Sequence, residues 1–451
     1  MTNLNAMFDP ESIAVIGASR NPGKIGYAIL ENLKVSFFGK LYPINPEAVE
    51  ILGLNSYHSV LDVEEAIDLA IIAVPAESVI KVLKECKKKK LKNIIIISSG
   101  FSEIGKKERE LDILKEGKGM RIIGPNCLGV LVPNKMDTLF LPRKRFKRPL
   151  DGPIGFLSQS GAIGTAIMDS IQKKGIGISK FVSYGNAADV TELDLLEYLG
   201  NDVSTRSIAM YIESIRDGQG FIKTAKKITP HKPIVVLKAG KTEKGSSAVM
   251  SHTGKLAGPA EVFSAALKQA GIIEAKTTEE LFDYAKIMAQ QPTFTGKNIA
   301  IVTNGGGFGV MAADAAMEAG FDVPDLTGDS LRRLKNAFPE HATARNPIDV
   351  TGDADTERFN KALEVAFKDN NIDAVVCVLL WQVPTLEDSL IDSLQDAKMS
   401  GKPFVVISMG SEYTVERSKK IETLGIPVYT TPERAIKSLK ALRDYSLIRK
   451  K

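Results

Sequence analysis

The sequence predicts an α/β protein of three doubly wound domains, on three observations. Short β-branched runs recur along the chain, each followed by a glycine- or serine-rich turn and then an amphipathic stretch. That alternation is the pattern of a parallel sheet covered by helices. The segment 158–175 aligns without a gap on 303–320, so that Gly161 meets Gly306, Gly164 meets Gly309 and Gly175 meets Gly320. Two copies of strand, small-residue turn and helix imply two similar lobes. Finally, 451 residues with 44% hydrophobic and 25% charged content suit about three globular domains at ~150 residues each. The expected domains are 1–130, 151–290 and 291–451, with a basic linker at 131–150.

Taking the chain in order, residues 12–16 read as a strand ending in Gly17, and a helix is expected over about 27–33. Gly17, Gly23 and Gly26 between them would let backbone N–H groups approach a phosphate at the helix start. The spacing departs from G-x-G-x-x-G, and the second strand ends at Asn45 rather than at an acid for a ribose hydroxyl, which disfavours NAD. Further strands are expected at 41–44, 69–74, 93–98 and 121–123. Polar or Pro/Gly-rich turns follow them at 43–46, 74–76, 98–101 and 124–129, the carboxyl ends at which open α/β sheets bind ligands. Cys127 has no histidine near it in sequence and reads as a small buried residue.

In the second domain a strand at 153–157 leads into Ser158-Gln159-Ser160-Gly161, which opens a helix reaching about Lys174. Hydroxyls and a glycine at a helix start cap free N–H groups and can cradle a phosphate. Strands follow at 178–182, 207–212 and 233–237, and Glu213 stands at a strand tip. Residues 245–258, GSSAVMSHTGKLAG, lack the apolar period of a helix or strand and read as a loop around one imidazole, His252. A carboxylate such as Glu213 would fix the tautomer of that ring and leave its other nitrogen free to attack.

In the third domain a strand at 299–302 runs into Asn304-Gly305-Gly306-Gly307, which opens a helix reaching Gly320. Residues 346–352 read as a polar turn, 374–380 and 404–407 as strands, and 432–440 as the start of a closing helix. The two repeated helix starts, each with about half a positive charge, would form a strong anion site if turned toward each other.

Composition excludes several classes. A net charge of +5 gives no case for nucleic acid and suits an anionic ligand. Cys86, Cys127 and Cys377 are odd in number and far apart, so neither a disulfide framework nor a metal site is expected, and a cytoplasmic home is. No signal-peptide pattern opens the chain, and the apolar runs are too short to span a bilayer. The basic runs 87–90 and 143–148 read as solvated surface, the second as a linker.

Gly-Pro-Asn-Cys-Leu-Gly at 124–129, Ser-Gln-Ser-Gly at 158–161 and Ser-His-Thr-Gly at 251–254, with Glu213 between the last two, come in an order and spacing that resemble one family. It is the nucleoside-diphosphate-forming acyl-CoA synthetase superfamily, which includes succinyl-CoA synthetase, and within it the alpha subunits of ADP-forming acetyl-CoA synthetases. The resemblance covers essentially the whole chain. It implies a Rossmann-like CoA-binding domain followed by two flavodoxin-like ligase domains. It implies that His252 is phosphorylated and that Glu213 orients it. Ser158, Gln159, Ser160 and Gly161, with Asn304, Gly305, Gly306 and Gly307, would hold the phosphoryl group. Gly17, Ser19, Gly23, Lys24 and Asn45 would bind the CoA phosphates and adenosine, with Val74, Pro75, Ser98, Ser99 and Asn126 along the same groove.

The implied reaction is acyl-CoA + ADP + phosphate ⇌ acid + ATP + CoA, through an acyl phosphate and a phosphohistidine on a mobile loop, with acetyl-CoA or a similar small acyl-CoA as substrate. No G-x-x-x-x-G-K-[ST] occurs and no stretch remains for an ATP-grasp fold. Mg2+ and ADP or ATP are therefore expected on a separate ATP-grasp beta subunit, in an α2β2 assembly. One departure stands out: where succinyl-CoA synthetase has paired glycines after a third-domain strand, this chain continues Trp381-Gln382-Val383-Pro384. Two other classes remain open to the sequence, a non-catalytic acyl-CoA-binding regulatory protein and an NAD-linked oxidoreductase.

Overall fold

A computed structural model describes residues 4–253 and 260–450, with the backbone alone at 251–253. The chain divides into two compact units, Met1–Gln172 with Gly177–Lys276, and Thr277–Lys451 with the short turn Lys173–Ile176.

The first unit holds two lobes. In the first, β1 (Ser12–Ile16), α1 (Ile25–Ser36), β2 (Lys40–Ile44), a small hairpin of β3 (Glu50–Ile51) and β4 (Leu54–Asn55), β5 (Leu69–Ile72), α2 (Ala76–Lys88), β6 (Asn93–Ile96), α3 (Lys107–Glu116) and β7 (Arg121–Ile123) follow in order. The sheet runs β2-β1-β5-β6-β7, all parallel. Its strands are covered on both faces and so read as continuous apolar runs. Ile13, Val15, Leu69, Ile71 and Ile95 pack into one core, and Ala14, Ile16, Ala70, Ile72, Ile94 and Ile96 into the other. Helix α2 turns Val79, Val82, Leu83 and Cys86 inward at three- and four-residue spacing, the stripe that a sheet-covering helix needs.

The second lobe comprises β8 (Gly129–Val132), β9 (Met136–Asp137), β10 (Asp151–Ser158), α4 (Gly161–Lys173), β11 (Ile178–Ser183), α5 (Glu192–Asn201), β12 (Ser207–Ile212), α6 (Gly218–Ile228), β13 (Ile234–Lys238), α7 (Glu243–Thr253), α8 (Ala260–Gln269) and β14 (Ile273–Ala275). The sheet order is β14-β13-β12-β10-β11-β8-β9, with β8 and β9 antiparallel at one edge.

Two expectations are corrected here. Part of the expected linker 131–150 is built into the fold: β8 and β9 extend the second sheet and Asp137 is fully buried, while Arg143, Lys144, Arg145 and Lys147 of the basic run are exposed. Arg148 Nε lies 2.8 Å and Arg143 Nη2 3.1 Å from the Asp137 carboxylate. The basic run is thus partly a charge latch, since a carboxylate leaves water only when cations and N–H groups replace the water.

The second correction concerns 245–258. Helix α7 covers this stretch as far as Thr253. Thr242 starts it by accepting the N–H of Gly245 through its hydroxyl and that of Ser246 through its carbonyl. The Ser247 hydroxyl, which could have broken the helix, bonds back to the Glu243 carbonyl at 3.0 Å. Val249 is buried over Gly240. A single inward apolar residue in so short a helix leaves no periodic trace. The His252 side chain and residues 254–259 lie outside the described residues.

The third lobe, in the second unit, comprises α9 (Thr278–Gln290), β15 (Ile299–Thr303), α10 (Gly306–Glu318), α11 (Gly328–Ala337), β16 (Ile348–Asp349), α12 (Thr356–Lys368), β17 (Ala374–Val378), α13 (Ser389–Lys398), β18 (Phe404–Ile407), α14 (Glu412–Thr423), β19 (Val428–Tyr429) and α15 (Pro432–Arg449). Its sheet is parallel in the order β16-β15-β17-β18-β19. The supposed polar turn 346–352 therefore supplies a short edge strand. Helix α9, read from the pattern as the end of the second domain, packs in this unit, where Arg434 clasps Asp283 at 2.7 Å and buried Lys286 meets Glu422 at 2.5 Å.

The repeat reaches atomic detail. The Ser158 hydroxyl bonds the Ser160 carbonyl at 2.6 Å, and that of Thr303 bonds the Gly305 carbonyl at 3.0 Å. Gly175 and Gly320 both lie beyond the ends of these helices with φ of 75° and 83°, a left-handed stop that glycine takes without strain. No helix among the described residues is long and apolar enough to cross a membrane.

Candidate functional site

In an open parallel sheet, the crevice lies where two neighbouring strands send their chains to opposite faces. Each lobe has one such point: between β1 and β5, between β10 and β12, and between β15 and β17. Residues singled out from sequence stand at each: Gly17 after β1, Ser158 and Glu213 at the ends of β10 and β12, and Asn304 after β15.

In the first lobe Gly17 has φ of 92° and donates its N–H to Ile44 O at 3.0 Å. A Cβ there would sit 2.6 Å from the Ala73 carbonyl, and one on Gly26 would overlap the Gly17 carbonyl. Both positions demand glycine because strand, turn and helix touch backbone to backbone. The turn between them is self-supported: the Ser19 hydroxyl accepts the Asn21 N–H and the Asn21 side chain accepts that of Gly23. Lys24 and Arg20 are exposed beside it.

Asn45 is committed to this turn. Its Nδ2 donates to Ala18 O at 2.7 Å, and its Oδ1 accepts the N–H groups of Glu47 and Ala48. It holds the rim rather than presenting a free amide. Ser98 Oγ donates to Val74 O at 2.5 Å and the Asn126 N–H to Ser98 O at 2.8 Å. Residues 45, 18, 73–74, 98 and 126 therefore form one braced edge, with Pro75 and Ser99 exposed on it. Cys127 is buried below, its thiol pushed up to about 12 by burial, which makes it no nucleophile.

The second lobe brings Gln159 and Glu213 together across 54 residues of sequence. The Gln159 Oε1 accepts the N–H of Glu213 at 2.8 Å and of Ser214 at 3.0 Å, while its Nε2 donates to the Ser214 hydroxyl. Gln159 and Glu213 are each only 7% exposed. The Glu213 turn is thereby bolted to the start of α4. Ser160 accepts the Ile163 N–H only at 3.4 Å, a weak cap for that start.

Sequence reasoning missed three neighbours. Lys238, the last residue of β13, donates its Nζ to Glu213 O at 2.9 Å, and burial lowers its pKa. Tyr211 points its hydroxyl at the Glu213 carboxylate, and burial, then that charge, pushes it up to about 12. Arg216, three residues past Glu213, bonds the carbonyls of Asn186 and Ala188 and the Glu110 carboxylate. A lysine closing an otherwise apolar strand was the one signal available in sequence. Helix α7 leaves this edge directly after β13 and packs against the 3-10 turn Ser102–Ile104 of the first lobe.

In the third lobe Asn304 pairs with Leu380 through both amide groups, at 3.1 and 2.9 Å, and opens α10 with Gly305, Gly306 and Gly307. Trp381 is buried behind it. Of the remaining histidines, His58 bonds Pro46 O at 2.7 Å and His341 bonds Asp353 at 3.2 Å.

A braced groove on the first sheet, a buried acid clamped at the second switch point and a repeated helix start thus lie at the carboxyl ends of the three sheets. Models of three known domains match it: a CoA binding domain over 11–133, a succinyl-CoA ligase like flavodoxin domain over 151–288 and a Ligase-CoA domain over 299–441. The alpha subunit of acetate–CoA ligase (ADP-forming) I from Pyrococcus furiosus is 42% identical, over 98% of each chain. Acetate–CoA ligase (ADP-forming) I from Archaeoglobus fulgidus is 41% identical over 99% of this chain, which spans 64% of that longer protein. In structure, the dinucleotide-forming acetyl-coenzyme A synthetase 1 of Ca. Korarchaeum cryptofilum, solved with phosphate and ADP, superposes with a TM-score of 0.91 at 37% identity, over 100% of this chain and 98% of that one. The chain belongs to the ADP-forming acetate–CoA ligase family.

Proposed function

We propose that this chain is the acyl-CoA-handling, histidine-bearing subunit of an ADP-forming acyl-CoA synthetase, acting on acetyl-CoA or a similar small acyl-CoA. The observation that carries the reading is the Gln159 clamp, which holds a buried acid, Glu213, at the switch point beside the start of α4. Phosphate attacks the thioester carbonyl, the C–S bond breaks, and CoA leaves from an acyl phosphate. A ring nitrogen of His252 then attacks phosphorus, and the acid departs as its P–O bond breaks. Phosphohistidine later gives the group to ADP. Splitting one hard transfer into two lowers each barrier.

Glu213 would orient and charge-balance His252. Ser160 and Gly161 would face the phosphoryl oxygens with a hydroxyl and the positive end of α4, while Ser158 and Gln159, whose polar groups are engaged at Ser160 O and in the Glu213 turn, would hold that helix start in place; Asn304–Gly307 is assigned the same task by its matching construction. The first lobe suits CoA. Ser19, Lys24 and the amides of the turn holding Gly17 and Gly23 would take the phosphates, with Asn45 bracing them, and Val74, Pro75, Ser98, Ser99 and Asn126 would flank the pantetheine arm.

Nucleotide and Mg2+ are proposed to bind a separate ATP-grasp beta subunit in an α2β2 assembly, supported by the relative named a subunit alpha. Three buried free thiols suit a cytoplasmic setting.

The test is to purify the chain with its partner subunit and supply γ-labelled ATP, or acetyl-CoA with labelled phosphate. Acid-labile label is expected on the native chain and none on His252→Ala. Label of equal amount on the variant refutes the assignment.

A further inference from the structure

We infer that Asn186 is a positioning residue that ties the CoA groove to the Glu213 turn, its side chain bonding the groove edge at Asn126 and, through Glu110, bracing Arg216. The inference rests on the function proposed above.

Asn186 is held firmly where it stands. The segment after β11 is zipped onto the end of β7 by three backbone bonds, each 3.0 Å: Asn186 N–H to Pro125 O, Ala188 N–H to Gly124 O and Val190 N–H to Ile122 O. Gly185 before it has φ of 55°, and a Cβ there would overlap the Asn126 carbonyl. The main chains of the two lobes touch at this point.

From there the Asn186 amide reaches in both directions. Its Oδ1 accepts Nδ2 of Asn126, from the groove edge, at 3.2 Å. Its Nδ2 lies 2.7 Å from Glu103 Oε2, 3.1 Å from Ser102 Oγ and 3.2 Å from Glu110 Oε2. Glu103 in turn accepts the N–H groups of Gly100 and Phe101 at 2.5 and 3.2 Å, so it shapes the 98–101 turn at the end of β6. Burial alone would raise the Glu103 carboxyl; the Asn186 amide and those two N–H groups outweigh it and hold it below its ordinary value.

On the other side the main-chain carbonyl of Asn186 accepts Arg216 at 3.2 Å, and the same guanidinium bonds Glu110 at 3.0 Å. Arg216 closes the turn whose opening residues, Glu213 and Ser214, are held by Gln159. The Ser102–Ile104 turn is also the seat of α7, the helix that ends at 252–253. Two carboxylates, Glu103 and Glu110, share the Asn186 amide here, and Glu110 also bonds the Arg216 guanidinium. Removing the amide leaves them facing each other across the seam.

The network touches the acyl-CoA side and not a nucleotide, so its loss should divide the two half-reactions. In the complex with the partner subunit, Asn186→Ala should slow His252 labelling from acetyl-CoA and labelled phosphate by about tenfold or more and raise the apparent KM for acetyl-CoA. Labelling from γ-labelled ATP should be unchanged. Equal losses from both sides, or no loss from either, overturn the inference. If Asn186→Ala does not fold, Glu103→Gln keeps an acceptor for the 100–101 amides but withdraws the charge, and the same split decides. A native complex that takes label from neither side refutes the proposed function and this inference with it; a native complex that is labelled, with a variant that loses both routes equally, refutes the inference alone.

Discussion

Replacing Gln159 by methionine keeps the length of the side chain and removes every polar contact it makes. The N–H groups of Glu213 and Ser214, at 2.8 and 3.0 Å, then lose their acceptor inside a buried turn. An orphaned buried donor costs about 1–3 kcal/mol. The two together give about 2–6 kcal/mol, toward the lower end if the turn relaxes outward to reach water. A loss of about 2 kcal/mol lowers Tm by roughly 4–8 °C for a domain of this size. The catalytic effect should exceed that, since a displacement of the Glu213 carboxylate by about 1 Å costs on the order of 100-fold. Gln159→Glu is the control: it keeps an acceptor for both amides, so the turn should hold, but it sets a second carboxylate beside Glu213. Thermal unfolding followed by circular dichroism, with His252 labelling from acetyl-CoA and phosphate, reads both effects. A methionine variant with native Tm and native labelling would mean that Gln159 does not hold the acid, and the account of the site would fail.

Two further outcomes follow from burial. Asp137→Ala should destabilise the chain by about 3–5 kcal/mol in urea titration, because it leaves the buried Arg148 guanidinium without its carboxylate; a surface linker would change by less than about 0.5 kcal/mol. The thiols give a pH dependence: burial pushes Cys86 and Cys127 up to about 12 and raises Cys377 as well. A group raised in the folded state adds stability that is complete below its unfolded value and is lost as pH rises through the folded one. The chain should therefore weaken from about pH 9 upward. At neutral pH iodoacetamide should label no cysteine of the native chain and all three of the unfolded chain, counted by mass spectrometry.

Much of the architecture was legible because it is local. Gly17 and Gly26 mark a crowded strand-turn-helix junction, and the matched glycines of 158–175 and 303–320 mark a junction built twice, down to the hydroxyl of Ser158 or Thr303 that closes each turn. Residues 245–253 misled the reading for the opposite reason. Capping by Thr242 and burial of Val249 make a helix there, but small and hydroxyl residues carry no period. The run 143–148 is mostly exposed, but Arg148 turns in to Asp137, a buried partner that the local pattern does not show.

By itself the sequence determined three α/β lobes and their glycine turns, since periodicity and turn chemistry act over a few neighbouring residues. Only the tertiary structure decided that Gln159 holds Glu213, that Lys238 and Arg216 attend the same turn, and that Asn186 joins it to the groove edge at Asn126. Those are bonds between residues dozens of positions apart. They exist because strand order sets β10 beside β12 and because the end of β7 meets the segment after β11, and neither neighbour is written in the local pattern of the other.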